Sequence, residues 1–224
     1  GKMKKYFVSN STDSVRMFKS DLLESFSKVS FYVPLLVYIP LIIFLSWKAL
    51  FDIKVGGWVF LEFLLAGLLI WTLSEYVLHR FVFHFVPKAK WALRIHFIFH
   101  GVHHDYPRDA KRLVMPPSAS IPMALILYFF FDALLPENMI YAFFTGFIIG
   151  YLVYDMVHYA LHHANFKSRF WKNLKKHHML HHYSEPTKGY GVSSPLWDLI
   201  FRSDFDKKQP AAEKQETVDV AQTV

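Results

Sequence analysis

Nineteen consecutive residues without a charge, residues 29–47 between Lys28 and Lys48, constrain this chain more than any other feature. A helix needs about 20 apolar residues to cross a bilayer, so this run is just long enough. Pro34 and Pro40 are expected to bend it, which helix bundles in lipid tolerate. Three further apolar stretches follow: residues 55–77 with Glu62 and Glu75, a run within residues 113–131, and residues 138–160. Only Asp132-Ala-Leu-Leu-Pro-Glu137 separates the last two, which therefore read as a helical hairpin with a tight turn. Soluble helices of this length present a polar face, and these scarcely do. The expected fold class is all-α: an integral membrane protein of about four transmembrane helices with a cytoplasmic helical cap.

Charge sets the expected orientation. Residues 1–28 hold six Lys/Arg, residues 80–112 seven and residues 159–208 nine, while the opposite loops hold only Lys48 and Lys54. The positive-inside bias then puts both termini and the long polar segments in the cytoplasm. Three parts follow: a cytoplasmic segment at 1–28, a membrane-embedded unit at 29–205, and a polar tail at 206–224 expected to be disordered. Gly1 and Lys2 ahead of Met3 read as an added remnant, with Met3 the native start and no cleavable signal peptide. The net charge of +7 accompanies no nucleic-acid-binding motif, so the bilayer is the expected partner and nucleic acid is not.

Histidine is the compositional anomaly, with 13 in the chain, and every one lies at a span end on the cytoplasmic side or in the polar segments there. Four boxes hold eleven of them: His79-Arg-Phe-Val-Phe-His84, His100-Gly-Val-His103-His104, His158-Tyr-Ala-Leu-His162-His163 and His178-Met-Leu-His181-His182. On an α-helix, residues three or four apart share a face, so His158 and His162 converge, as do the members of the triplets at 100–104 and 178–182. His79 and His84 do not fit this rule. Five residues turn an α-helix by roughly 140° beyond a full turn, so either the helix frays between them or they serve different positions.

Ten imidazoles exceed what one ion takes, whereas two ions with five or six positions each consume them. Neutral nitrogen donors suit iron, zinc, copper or nickel, and zinc can occupy such a site in a purified sample whatever the working metal. With no cysteine in the chain, thiolate sites are excluded. The remaining histidines, His96, His163 and His177, are expected beside the ligands rather than among them. Asp155 and Glu75, one helical turn ahead of His158 and His79, are either hydrogen-bond partners of ligand rings or ordinary interfacial charges. Hydrolytic two-metal sites use carboxylates, and none stands in the boxes. A paired all-nitrogen site beside lipid points instead to oxygen activation by two irons, with O2 as co-substrate.

These boxes, with Arg112-Leu-Val-Met-Pro-Pro117, Tyr154-Asp155 and Gly189-Tyr-Gly-Val-Ser-Ser-Pro-Leu-Trp-Asp198, resemble the fatty acid hydroxylase superfamily, most nearly its fatty acid 2-hydroxylases of the sphingolipid type. The resemblance implies metal ligands at His79, His84, His100, His103, His104, His158, His162, His178, His181 and His182. It also implies hydroxylation of a long acyl chain, free or in a ceramide, at the carbon next to its carboxyl group. Many such enzymes carry a fused cytochrome b5-like domain. Electrons are here expected from a separate cytochrome b5-like or ferredoxin-like protein, docked on the basic face at Lys167, Arg169, Lys172, Lys175 and Lys176, a face equally suited to anionic lipid. The acyl tail is expected in an apolar slot, with Tyr183 and Trp197 near its entrance. Rival readings are a sterol or carotenoid hydroxylase or desaturase of the same superfamily, and a membrane metal transporter or metal-binding protein. The last predicts a polar path through spans whose centres hold little beyond Glu62 and Thr145.

Overall fold

A computed structural model describes residues 8–206; Met3 and residues 207–224, nearly all of the expected tail, lie outside them. Among the described residues all regular structure is helical. The first long helix, α2 (Val33–Trp47), begins four residues later than the apolar run because Pro34 occupies its first turn, where a missing N–H costs nothing. Pro40 stays within it. It follows a short helix, α1 (Asp21–Phe26), and runs on through a π-helical turn at Lys48–Asp52. Next come α3 (Gly57–Val77) and a second π-helical turn (Leu78–Phe83). Then α4 (Lys90–His96), a third π-helical turn (Phe97–Gly101) and α5 (Val102–Asp105) form one bent unit. The helices α6 (Pro117–Asp132), α7 (Ile140–His163), α8 (Arg169–Tyr183) and α9 (Leu196–Ile200) complete the chain.

Among the described residues, three helices are long and apolar enough to cross a membrane: Val33–Asp52, Gly57–Phe83 and Ile140–His163. The fourth expected span, α6, has 16 residues, a rise of about 24 Å against a hydrocarbon core of about 30 Å. Leu36, Ile43, Phe44, Leu65 and Leu69 are all more than half exposed on α2 and α3. An outward surface this apolar suits lipid rather than water.

Enclosed between its neighbours, α7 supplies most of the core, with Phe143, Phe144, Phe147, Ile148, Tyr151 and Leu152 packed on Tyr38, Leu45 and Trp71. Two glycines let α3 and α7 touch through their backbones. A Cβ on Gly67 would stand 1.9 Å from the Phe143 carbonyl oxygen, and one on Gly146 would stand 1.8 Å from that of Leu64. Without a strong hydrophobic force between helices in lipid, such close approach is how they gain dispersion energy. The expected hairpin is present: Phe131 of α6 packs its ring on Phe143 and Phe147 of α7. This bundle fixes the ends of α3 and α7 side by side, and those ends carry the first and third histidine boxes.

Candidate metal centre

The His79/His84 spacing is resolved by the π-helical turn. There the His84 N–H donates to the His79 carbonyl at 3.1 Å, so residues five apart stand about one turn apart. The two rings converge, with their Nε2 atoms 3.2 Å apart. Another π-helical turn delivers His100, α5 carries His103 and His104, and α7 and α8 carry the remaining boxes.

All ten histidines of the expected ligand set come together, in two groups of five. One comprises His79, His84, His100, His104 and His181; the other comprises His103, His158, His162, His178 and His182. Within each group the candidate ligand nitrogens lie within 4.8 Å of one another. The rings of His104 and His182 stack at 4.3 Å and join the groups. The triplets are therefore split. His100 and His104 face one group while His103 faces the other, and His181 parts from His178 and His182. Neighbours in sequence point about 100° apart on a helix, so they serve different centres.

The donor set fits a metal ion. In the first group the Nε2 atoms of His79, His84 and His100 form a triangle with sides of 3.1, 3.2 and 3.2 Å, and His181 Nε2 lies 3.0 Å from His84 Nε2. In the second, Nε2 pairs lie at 2.9 Å (His103–His158), 2.9 Å (His162–His178) and 3.1 Å (His178–His182). Bonds of about 2.0–2.1 Å to a common ion put ligands at right angles roughly 3 Å apart. The tautomers agree. His79 Nδ1 donates to the Tyr190 carbonyl and His181 Nδ1 to that of Lys188 at 2.7 Å, leaving lone pairs on both Nε2 atoms. Two lone pairs aimed into one small space call for a cation. Burial first, then neighbouring imidazoles, pushes His84, His100, His103, His104, His178 and His182 well below the ordinary histidine range. The rings are thus neutral, the form that binds metal.

The fatty acid hydroxylase family profile matches residues 64–203, which include all ten histidines. The chain belongs to the fatty acid hydroxylase family. It is 36% identical over 209 residues to the fatty acid 2-hydroxylase of Rattus norvegicus, covering 84% of this chain and 56% of that protein. It is 35% identical over 201 residues to the dihydroceramide fatty acyl 2-hydroxylase FAH1 of Arabidopsis thaliana, covering 89% and 84%. The solved structure titled "Full length scs7p (only hydroxylase domain visible)" superposes with a TM-score of 0.80 at 35% identity, covering 86% of this chain and 73% of that one. The chain spans little more than half the length of the mammalian relatives it matches.

In this chain Glu75 reaches a loop rather than a ring. It accepts the N–H groups of Val192 and Ser193, each at 2.8 Å, and the Ser193 hydroxyl. Asp198 holds the same loop by accepting the Tyr190 N–H at 2.9 Å and the Gly191 N–H at 2.7 Å. His177 stands 3.2 Å from Asp198. Burial opposes the Asp198 charge, but His177, the two N–H groups and Ser203 outweigh it and hold the carboxyl below its ordinary value. Glu75, His177 and Asp198 thus orient His79 indirectly, through the Tyr190 carbonyl. The expectation for His177 missed Asp198, and the carbonyls of Lys188 and Tyr190 carry no side-chain signal in the sequence. The other expected neighbours are placed differently. His163 is exposed, its ring tilted on Tyr159 at 4.7 Å. His96 is half-buried near His84 and His104. Asp155 is buried, with one carboxylate oxygen lacking a hydrogen bond.

A cavity of about 350 Å³ opens beside the histidines; His100, His103, His158 and Asp155 stand on its wall among Phe83, Ile98, Phe99, Val114 and Met115. Phe83, Met115 and Tyr154 also line a second, narrower cavity that descends between the long helices to Tyr38, Leu127 and Phe147. Tyr183 and Trp197, expected near the entrance, line neither.

Proposed function

We propose that the protein is a membrane di-iron monooxygenase that hydroxylates a long acyl chain at C2, as a free fatty acid or within a ceramide, using O2 and two electrons. The observation that carries this reading is the pairing of two five-histidine groups, free of carboxylate and thiolate, with an apolar cavity on whose wall His100, His103 and His158 stand. His79, His84, His100, His104 and His181 would hold one iron, and His103, His158, His162, His178 and His182 the other. Bound iron supplies the oxygen activation that no side chain provides. The chain's own residues do the rest. The Tyr190 and Lys188 carbonyls fix the tautomers of His79 and His181. Phe83, Ile98, Phe99 and Met115 exclude water and give the acyl chain an apolar bed. Family membership supports the substrate class, since the Rattus norvegicus relative is named a fatty acid 2-hydroxylase and the Arabidopsis thaliana relative a dihydroceramide fatty acyl 2-hydroxylase.

In the same reading, α6 enters the bilayer beside the three longer spans, its short length met by local thinning of the bilayer. The histidine-bearing helices form a cap on the cytoplasmic face, where the basic segments and both termini lie. Electrons arrive from a separate cytochrome b5-like or ferredoxin-like protein, for which Lys167, Arg169, Lys172 and Lys176 offer an exposed basic face on and just ahead of α8. Lys175 is engaged instead, donating to the Ala164 carbonyl at 2.8 Å.

The test is mass spectrometry of products after purified protein is supplied with iron, O2, a reducing partner and long-chain fatty acids or ceramides. A 2-hydroxyacyl product is expected. Oxidation at another carbon or of a sterol would move the protein to a rival branch of the superfamily. Metal-dependent uptake with no lipid oxidation would make it a transporter.

A further inference from the structure

The cavity beside the histidines is roofed by residues far from every box. Met17, Phe18, Leu23 and Phe26 line it from the N-terminal segment. Backbone hydrogen bonds fasten that segment near its ends, Ser9 N–H to the Asp105 carbonyl at 2.7 Å and Val29 N–H to that of Lys111 at 2.9 Å. Between them the attachment is concentrated on one guanidinium. Arg112, its side chain 2% exposed, donates to Glu24 Oε1 at 2.7 Å, to Ser27 Oγ at 3.0 Å and to the Val15 carbonyl, with its Nε 3.4 Å from Asp109 Oδ2. Asp109 in turn accepts the Ser14 hydroxyl at 2.8 Å. Glu24 Oε2 accepts the N–H groups of Met17 and Phe18, at 2.9 and 3.0 Å, two of the residues that line the cavity.

A buried ion pair is a poor way to gain stability, because desolvation consumes most of the attraction. It is a good way to fix geometry. Guanidinium spreads its donors in a rigid plane, and here they reach residues 15, 24 and 27 at once, which a lysine ammonium on a flexible stem does not reproduce. Burial works to raise the Glu24 carboxyl, but Lys28, the Phe18 and Met17 N–H groups and Arg112 outweigh it and bring it down to about 2, so the pair stays charged. The Arg112 N–H groups are taken up by Val15, Glu24 and Ser27, so the guanidinium acts as a clamp on this segment.

We propose that residues 15–27 form the roof of the acyl site and that Arg112, a positioning residue, holds this roof at the height that decides which acyl chains the hydroxylase accepts. The proposal rests on the hydroxylase reading. It therefore needs one readout tied to turnover and one that is not.

For the first, membranes bearing the full chain are given an equimolar mixture of short and very long N-acyl chains, and the ratio of 2-hydroxylated products is measured. Arg112→Gln should shift that ratio by about tenfold, since one or two methylenes in an apolar pocket carry that much discrimination, while iron content stays at the parent level. Phe18→Ala, which enlarges the roof without touching the clamp, should move the ratio toward the longer chain. Equal loss of all products with lost iron in Arg112→Gln, together with an unchanged ratio in Phe18→Ala, would overturn the proposal.

For the second, a ceramide with a photoreactive acyl chain is cross-linked to the iron-loaded protein and the labelled peptides are mapped. Label within residues 17–27 that falls in Arg112→Gln supports the roof. Label confined to α6 and α7 overturns it. Absence of any hydroxylated product with the roof still labelled would sink the hydroxylase reading while upholding the roof.

Discussion

The two histidine groups differ in how their rings are held. In the first, His79 and His181 hand their Nδ1 protons to backbone carbonyls on a loop that Glu75 and Asp198 tie down. In the second, the buried Nδ1 atoms of His103, His158, His178 and His182 have no hydrogen-bond partner among the described residues. The second group instead draws His158 and His162 from α7, and His178 and His182 from α8, each pair four residues apart on one helix face. Backbone carbonyls orient two of the five rings of the first group, whereas the second relies on helix geometry. The difference teaches that equal numbers of the same ligand can depend on different parts of the sequence.

The largest effects should come from removing the most central ring of each group. His178→Ala and His84→Ala should each lower bound iron from two ions per chain towards one and abolish product, leaving membrane insertion intact, as elemental analysis and product assay would read. Full turnover by either variant would refute its assignment as a ligand.

Next in size is a change of helical register in the first group. An alanine inserted between Phe81 and Val82 swings His84 by about 100° and should cost the first ion. Deleting Val82 restores the four-residue spacing that an ordinary α-helix satisfies, and should retain it. Loss of iron in both variants alike would show that the π-helical turn is not what aims His84.

Much of the architecture was legible in the sequence for one reason: lipid leaves long helices without a polar face, so residues 29–47 and 55–77 announce themselves. The i+4 pairs were legible for a similar reason, because helix geometry maps spacing onto direction. The convergence of His79 and His84 was not, since no residue type marks a π-helical turn. Nor was the division of the triplets between centres, which depends on how α5 and α8 face each other across the groups. The backbone carbonyls at 188 and 190 were invisible because they belong to no side chain. Gly189-Tyr-Gly-Val could be read as a marker of kinship before its mechanical task was known.

Two smaller effects sharpen the contrast between the groups. Glu75→Ala removes the acceptor that holds the Val192–Ser193 turn. It should weaken iron binding at the first group by about 10–100-fold, the usual cost of losing an orienting partner, and weaken the second group much less. Asp198→Asn keeps one acceptor oxygen for the loop and should weaken the first group less, by about tenfold or below. Titration with a metal-sensitive dye measures both. Equal weakening of the two groups would erase the distinction drawn between them.

The split of His103 from His104 and of His181 from His182 has a mechanical consequence. Each of these dipeptides sends one ring to each group, so two peptide bonds tie the two groups together. With an ion in each group, loss of one would slacken residues that brace the other, so filling is expected to be cooperative, the first arrival tightening the seat of the second.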